Sequence, residues 1–197
     1  SALRADKRLM NASSQVLADS AAALLMAETR FCLRMTARSV SSPAEILTQA
    51  NRLLAEDLGG DRYVTVSLAA IHPETRILRH ASAGHPATWV LDASGGIKAS
   101  LRRTGKPLGR QGHVAYGENP AITLESGDLV LQLTDGIDEA MRADGTLFTV
   151  ERVLGLIRGH RDLSAADLAE RICSEARAFT QPEPQTDDFT VVIVRVL

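Results

Sequence analysis

Between residues 63 and 133 the chain is cut by turn residues into short apolar runs, and in the first of them apolar residues recur at every second position, a period that fits a strand and not a helix. In "RYVTVSLAAI", Val64, Val66, Leu68 and Ala70 alternate with Tyr63, Thr65, Ser67 and Ala69, which predicts a strand with one apolar face. "HPETR" is turn chemistry, "ILRHASA" and "ATWVLD" continue an antiparallel ladder, and "ASGG" at 93 to 96 makes a further hairpin turn. "ITLESGDLVLQLTDG" supplies two more strands around Ser126-Gly127-Asp128, and "DDFTVVIVRVL" reads as the last strand.

Helical spacing brackets this run. Residues 3 to 18 read as one helix, with Leu3, Leu9, Met10, Val16 and Leu17 among polar neighbours, and residues 20 to 38 as a second, more apolar one. In "SSPAEILTQANRLLAEDLGG", Ser42 is the N-cap, Pro43 takes the first helical position and Glu45 completes a capping box, with Gly59-Gly60 as the stop. Two more helices are predicted over 149 to 158 and 164 to 179, the latter opened by Ser164 with Asp167 three residues on. Helices flanking a set of antiparallel strands point to a layered α+β domain rather than a parallel α/β one.

The bulk numbers narrow the function classes. A chain of 197 residues is the size of one domain, or of one domain with a short appendage. No apolar run approaches the roughly 20 residues of a spanning helix, and "SALRADKRLM" has no apolar leader region, so the expected compartment is the cytoplasm and no membrane partner is expected. Net charge is −2 and the arginines are scattered, so no nucleic-acid partner is expected. Cys32 and Cys173 lie far apart without metal-like spacing and are expected to be buried thiols.

Carboxylates stand at both ends of the predicted sheet core. Asp135-Gly136 follows the strand "DLVLQL", and Asp187-Asp188 immediately precede the strand "FTVVIVRVL". Oxygen donors at strand ends suit hard divalent cations, and a glycine beside the acid lets backbone and solvent approach closely. The same residues also fit a plain turn and a solvated acidic doublet, and spacing alone does not separate the two readings.

The segments "AALLMAETR" (22 to 30), "SPAEILTQANRLL" (42 to 54), "YVTVSLAAI" (63 to 71), "SAGHPATWV" (82 to 90), "GKPLG" (105 to 109), "LESGDLVLQLTDGIDEA" (124 to 140) and "QTDDFTVVIVRV" (185 to 196) add a resemblance. In order and spacing they resemble the SpoIIE/RsbU-type protein serine phosphatases, bacterial members of the metal-dependent PPM (type 2C) superfamily. The resemblance covers residues 21 to 197, leaving 1 to 20 as an opening or linker helix. It implies an α-β-β-α sandwich of two antiparallel sheets flanked by helices, with a pair of Mn²⁺ or Mg²⁺ ions. Asp135 and Asp187 match metal-binding catalytic positions, Asp188 matches a ligand or its neighbour, and Gly136, Gly84 and His85 match turns near the site.

The implied reaction removes phosphate from phosphoserine or phosphothreonine by metal-activated water, without a phosphoenzyme. The implied substrate is a phosphorylated anti-sigma-factor antagonist or a similar small regulatory protein in a partner-switching or two-component pathway. An upstream sensor or receiver domain and a homodimer formed through the opening helix are further implied partners. The helices at 21 to 38 and 43 to 57 match a switching element, with Leu24, Leu25 and Met26 expected to pack it.

The match fails at one place. The family places a Gly-Asp at a strand end and a Gly-x-Gly before the "AALLMA" helix, and that Asp bridges the two ions; Ser13-Ser14 stand there in this chain. A second alignment keeps residues 1 to 20 as the opening helix and implies that the first metal-binding strands are missing between Ser20 and Ala21. The competing class is a pseudophosphatase, an adaptor that binds its partner without hydrolysis.

Other residues carry two readings each. His85 in "AGHP" could protonate a leaving serine oxygen, but Gly84 and Pro86 favour a histidine that serves a tight turn. Arg30 and Arg34 lie one helical turn apart, and a solvated face is the simpler account. His72, His80, His113 and His160 have no partners at ligand spacing and are assigned no role.

Overall fold

A computed structural model describes residues 9–13, 19–58, 62–182 and 187–197. In chain order the elements are β1 (Leu9–Ser13), α1 (Asp19–Ser39), α2 (Pro43–Leu58), β2 (Thr65–Ile71), β3 (Ile77–Ala83), β4 (Thr88–Leu91) and β5 (Ile97–Leu101). They continue with β6 (Ile122–Thr123), β7 (Leu129–Leu133), α3 (Asp135–Asp138), α4 (Thr149–Gly159), α5 (Ala165–Thr180) and β8 (Val191–Arg195). The chain divides into two units, Ser1–His85 with Arg102–Leu124, and Pro86–Leu101 with Glu125–Leu197. Each holds one four-stranded antiparallel sheet and its helices, as the α+β reading expects.

In the first unit the strand order is β1-β2-β3-β6. Residues 9 to 13, expected to be helical, are instead a strand, pairing from Leu9↔Ala69 to Ser13↔Thr65. Local spacing loses here to the hydrogen-bonding demand of β2, whose outer edge would otherwise present a row of unpaired backbone groups. The remainder of that expected helix lies outside the described residues. α1 then runs from Asp19 to Ser39.

α2 starts where its cap predicts. The Ser42 hydroxyl accepts from the Glu45 N–H at 3.2 Å and donates to Glu118 Oε1 at 2.6 Å, so the cap is tied to a distant carboxylate that Arg79 holds in turn at 2.8 Å. Its buried face, Ile46, Leu47, Ala50 and Leu54, packs into one core with Leu33 and Val66. The helix ends at Leu58, and the predicted Gly59-Gly60 stop lies outside the described residues. On α1 only Leu25 of the expected trio is buried; Leu24 and Met26 are exposed, because one helix face meets the core and these two flank it.

β2 is not half-exposed as its alternation suggests, since Ser67 and Ala69 are buried along with Val66 and Leu68. Ser67 is accommodated by a hydrogen bond to the ring of His80 at 3.0 Å, which supplies the partner that a buried hydroxyl needs.

The second unit orders its strands β5-β4-β7-β8. β7 is central and buried along its whole length, pairing with β4 on one side and β8 on the other. The two helices predicted for this part are α4 and α5, displaced by at most a residue at either end. Ser164 caps α5 by accepting from the Asp167 N–H at 3.1 Å. Ile157, Leu168, Ile172 and Phe179 from these helices pack with Leu131 and Leu133 of β7 in this unit's core. Cys32 is buried as expected, whereas Cys173 is only partly so. Among the described residues no helix is long and apolar enough to cross a membrane.

Candidate metal site at the end of the central strand

β7 delivers its chain into Thr134 and then directly into α3, so Asp135 stands at the first turn of a four-residue helix. Its carboxylate accepts from the N–H of Gly136 at 3.2 Å. The segment that leads into β8 lies against the same point: an added Cβ on Gly136 would meet the Asp188 carbonyl oxygen at 2.6 Å and Asp187 Cβ at 3.3 Å. A side chain at 136 would therefore force the two segments apart, and glycine is required by approach rather than by backbone torsion. Asp135, Asp187 and Asp188, far apart in sequence, are brought to one rim of one sheet.

Thr134 holds them there. Its N–H donates to the Thr190 carbonyl at 3.1 Å, and its hydroxyl accepts from the Thr190 N–H at 3.0 Å while donating to the Asp188 carbonyl at 3.1 Å. The side chain extends the β7–β8 ladder by one step, up to the acidic doublet. Sequence reasoning named the acids and passed over this threonine, although its place in "TDG" was the available signal.

The remaining acids of the stretch have other work. Asp138 accepts from the Val150 N–H at 2.6 Å and so serves the start of α4, where Phe148 supplies no side-chain cap. Glu139 is exposed.

The donor chemistry fits a hard divalent cation, for which one or two carboxylates plus water oxygens make a sufficient site. Asp135 is partly buried, while Asp187 and Asp188 face solvent, so water can complete a coordination sphere. Among the described residues no group of three or more His, Cys, Asp and Glu side chains that could hold a metal ion is found, so these carboxylates alone do not make a closed site.

The other residues singled out by sequence lie in the first unit. Gly84 has φ +72°, and an added Cβ there would strike Pro107 Cγ at 2.5 Å, so both torsion and contact demand glycine. His85 is buried, and its carbonyl accepts from the Ser82 hydroxyl at 3.2 Å, in keeping with a turn residue. His80, given no role from sequence, is buried between two partners. The Asn119 side-chain amide donates to the Arg102 carbonyl at 2.8 Å and lies 3.0 Å from His80 Nδ1. An amide nitrogen offers only protons, so Nδ1 accepts, and the ring proton sits on Nε2 facing Ser67. Burial, with the neighbouring charge of His85 second, lowers its pKa to about 4.

These features can be set beside known proteins. The model of the family described as Stage II sporulation protein E (SpoIIE) matches residues 18–197. Phosphoserine phosphatase RsbU of Bacillus subtilis (strain 168) is 24% identical over 174 residues, which is 88% of this chain and 51% of that protein. The chain thus spans about half the length of this relative. The SiaA-PP2C domain of Pseudomonas aeruginosa superposes with a TM-score of 0.78 at 19% identity, covering 96% of this chain and 80% of that one. RsbX in complex with magnesium superposes at 0.67 and 19% identity, covering 95% and 81%. With residues 18–197 matched, and with a PP2C-type fold superposing over nearly its whole length, this chain belongs to the SpoIIE family.

Proposed function

We propose that this domain is a metal-dependent protein phosphatase that removes phosphate from a phosphoserine or phosphothreonine of a small regulatory protein, of the anti-sigma-factor antagonist type. The observation that carries the reading is the close approach of the Asp187-Asp188 segment to Gly136, the residue after Asp135, at the end of β7. Membership of the SpoIIE family and the similarity to RsbU support the substrate class.

Asp135 and Asp187 would hold Mg²⁺ or Mn²⁺, with Asp188 as a further ligand or neighbour. A cation held there supplies water activation and neutralises charge on a phosphoryl group. The chain's own contribution is placement: Thr134 locks the acidic doublet to the end of β7, and Gly136 lets the two segments touch. A second ion belongs to the same reading and requires donors beyond these carboxylates. Partner switching in the cytoplasm, an upstream sensor or receiver domain and a homodimer complete the proposal.

A second reading is favoured by one observation. β1 ends on Ser13, and in the sequence Ser13-Ser14 stand where the resemblance expects the Gly-Asp that bridges the ions. Under that reading the chain is a pseudophosphatase adaptor. Release of phosphate from a phosphoserine protein with Mn²⁺ or Mg²⁺ decides between them: the enzyme gives turnover that Asp135→Asn abolishes, and the adaptor gives binding without turnover.

A further inference from the structure

The loop carrying "GKPLGRQG" is more firmly built than a surface loop needs to be. Leu108 and Val64 exchange two backbone hydrogen bonds, at 2.8 and 3.0 Å, and the Gly84 N–H donates to the Gly105 carbonyl at 2.9 Å. Tyr116 donates its hydroxyl proton to the Lys106 carbonyl at 2.8 Å. Asn51, fully buried on α2, accepts from the Gly109 N–H at 2.9 Å and donates to the Gln111 carbonyl at 2.7 Å. A buried amide with both ends committed to one loop fixes that loop's shape.

What this shape presents is a cavity of about 520 Å³ within the first unit, walled by Lys106, Arg110, Gln111, Tyr63, Thr65 and the Gly84–Pro107 contact. Among the described residues that line it, two side chains are cations and none is a carboxylate. Arg110 lies over the Tyr63 ring at 4.6 Å, which orders its guanidinium, and Lys106 Nζ donates to Gln111 Oε1 at 3.4 Å. Thr65, Gln111 and Tyr63 add neutral polar groups beside the charges. Paired cations on a rigid concave floor select an anion, and a guanidinium with a lysine suits a phosphoryl group in particular. The volume exceeds that of a bare phosphate and leaves room for the residue that carries it.

We propose that this cleft binds a phosphoryl group through Lys106 and Arg110, presented by a phosphoserine segment of a protein or as free inorganic phosphate. Only the protein source rests on the phosphatase reading above; the anion site itself does not. Nothing in the cleft uses Asp135 or a metal ion.

The test uses the full chain carrying Asp135→Asn, in EDTA, so that hydrolysis and metal-held phosphate are both removed. A phosphoserine peptide, its unphosphorylated form and inorganic phosphate are titrated calorimetrically against this protein and against the same protein with Lys106→Gln and Arg110→Gln. Both cations are exposed, and an unchanged circular dichroism spectrum verifies the fold of the double variant. The expected result is binding of the phosphorylated peptide but not the unphosphorylated one, weakened by added salt and at least about tenfold weaker in the double variant. Lys106→Arg keeps the charge and should retain binding. Binding of inorganic phosphate alone, with the same loss on substitution, assigns the cleft to the free anion. No binding of either, or equal binding by the double variant, overturns the proposal. Absence of turnover in the unmodified chain with Mn²⁺ would overturn the phosphatase reading and leave this result untouched.

Discussion

Thr134 and Asp188 are joined by a hydrogen bond of 3.1 Å from hydroxyl to carbonyl, and the same hydroxyl accepts from the Thr190 N–H at 3.0 Å. One buried side chain thereby connects the end of β7 to the acidic doublet that precedes β8. Asp135 follows Thr134 in sequence, so the distance between the two acidic segments depends on this threonine.

Thr134→Val removes the hydroxyl while keeping the shape, leaving the partly buried Thr190 N–H without its acceptor. The expected loss is about 1–3 kcal/mol in urea unfolding, together with reduced phosphatase turnover. Thr134→Ser keeps the hydroxyl and should recover most of both. Equal activity in the valine and serine variants would show that the hydrogen bonds do not position the site.

At the proposed metal site, Asp135→Asn and Asp187→Asn each replace a carboxylate with a neutral amide, at a partly buried and an exposed position respectively. Each should reduce turnover more than tenfold and weaken Mg²⁺ or Mn²⁺ binding by about tenfold or more, with melting in EDTA almost unchanged. Cation titration followed by calorimetry, beside phosphate release, checks both halves.

Gly136→Ala places a methyl 2.6 Å from the Asp188 carbonyl oxygen, a backbone atom that cannot rotate away. Overpacking of this kind costs about 1–3 kcal/mol. The displacement falls on the acidic doublet, so phosphate release should drop further than stability does. Gly84→Ala is expected to be worse for folding, because a positive φ adds torsional strain to a 2.5 Å clash with Pro107.

His80 makes stability depend on pH. Its pKa is lowered from 6.5 to about 4, chiefly because burial disfavours the imidazolium. Between those values the unfolded chain binds the extra proton and the folded one does not, so stability falls as pH drops through 6.5 and levels off near 4. The contribution lost across that interval is at most roughly 3 kcal/mol. Urea unfolding from pH 7 to pH 4 should show this slope in the parent and a shallower one in His80→Gln.

Asn51→Leu removes both ties to the 105 to 112 loop and buries the Gly109 N–H without a partner. A loss of about 2–4 kcal/mol is expected by chemical unfolding, with amide exchange at Gly109 rising ahead of global unfolding.

Much of this architecture was legible in the chain. The alternating runs specified antiparallel strands because side-chain period is a local property of the extended backbone, and Ser42 and Ser164 specified helix starts because a cap involves only four residues. Asp135 and Asp187-Asp188 were legible as acids at strand ends, and only the family resemblance joined them into one proposed set. Tertiary structure decided the rest. Residues 9 to 13 became a strand because β2 offered an edge, against their own helical spacing. Ser67, His80 and Asn119 formed a buried polar group, and Asn51 closed on a loop about 60 residues away, because a hydrogen bond inside a core forms wherever packing brings donor to acceptor. Thr134 gained its meaning the same way: a threonine before an aspartate is unremarkable in sequence, and only the arrival of β8 beside β7 turned its hydroxyl into the link that holds two acids at one rim.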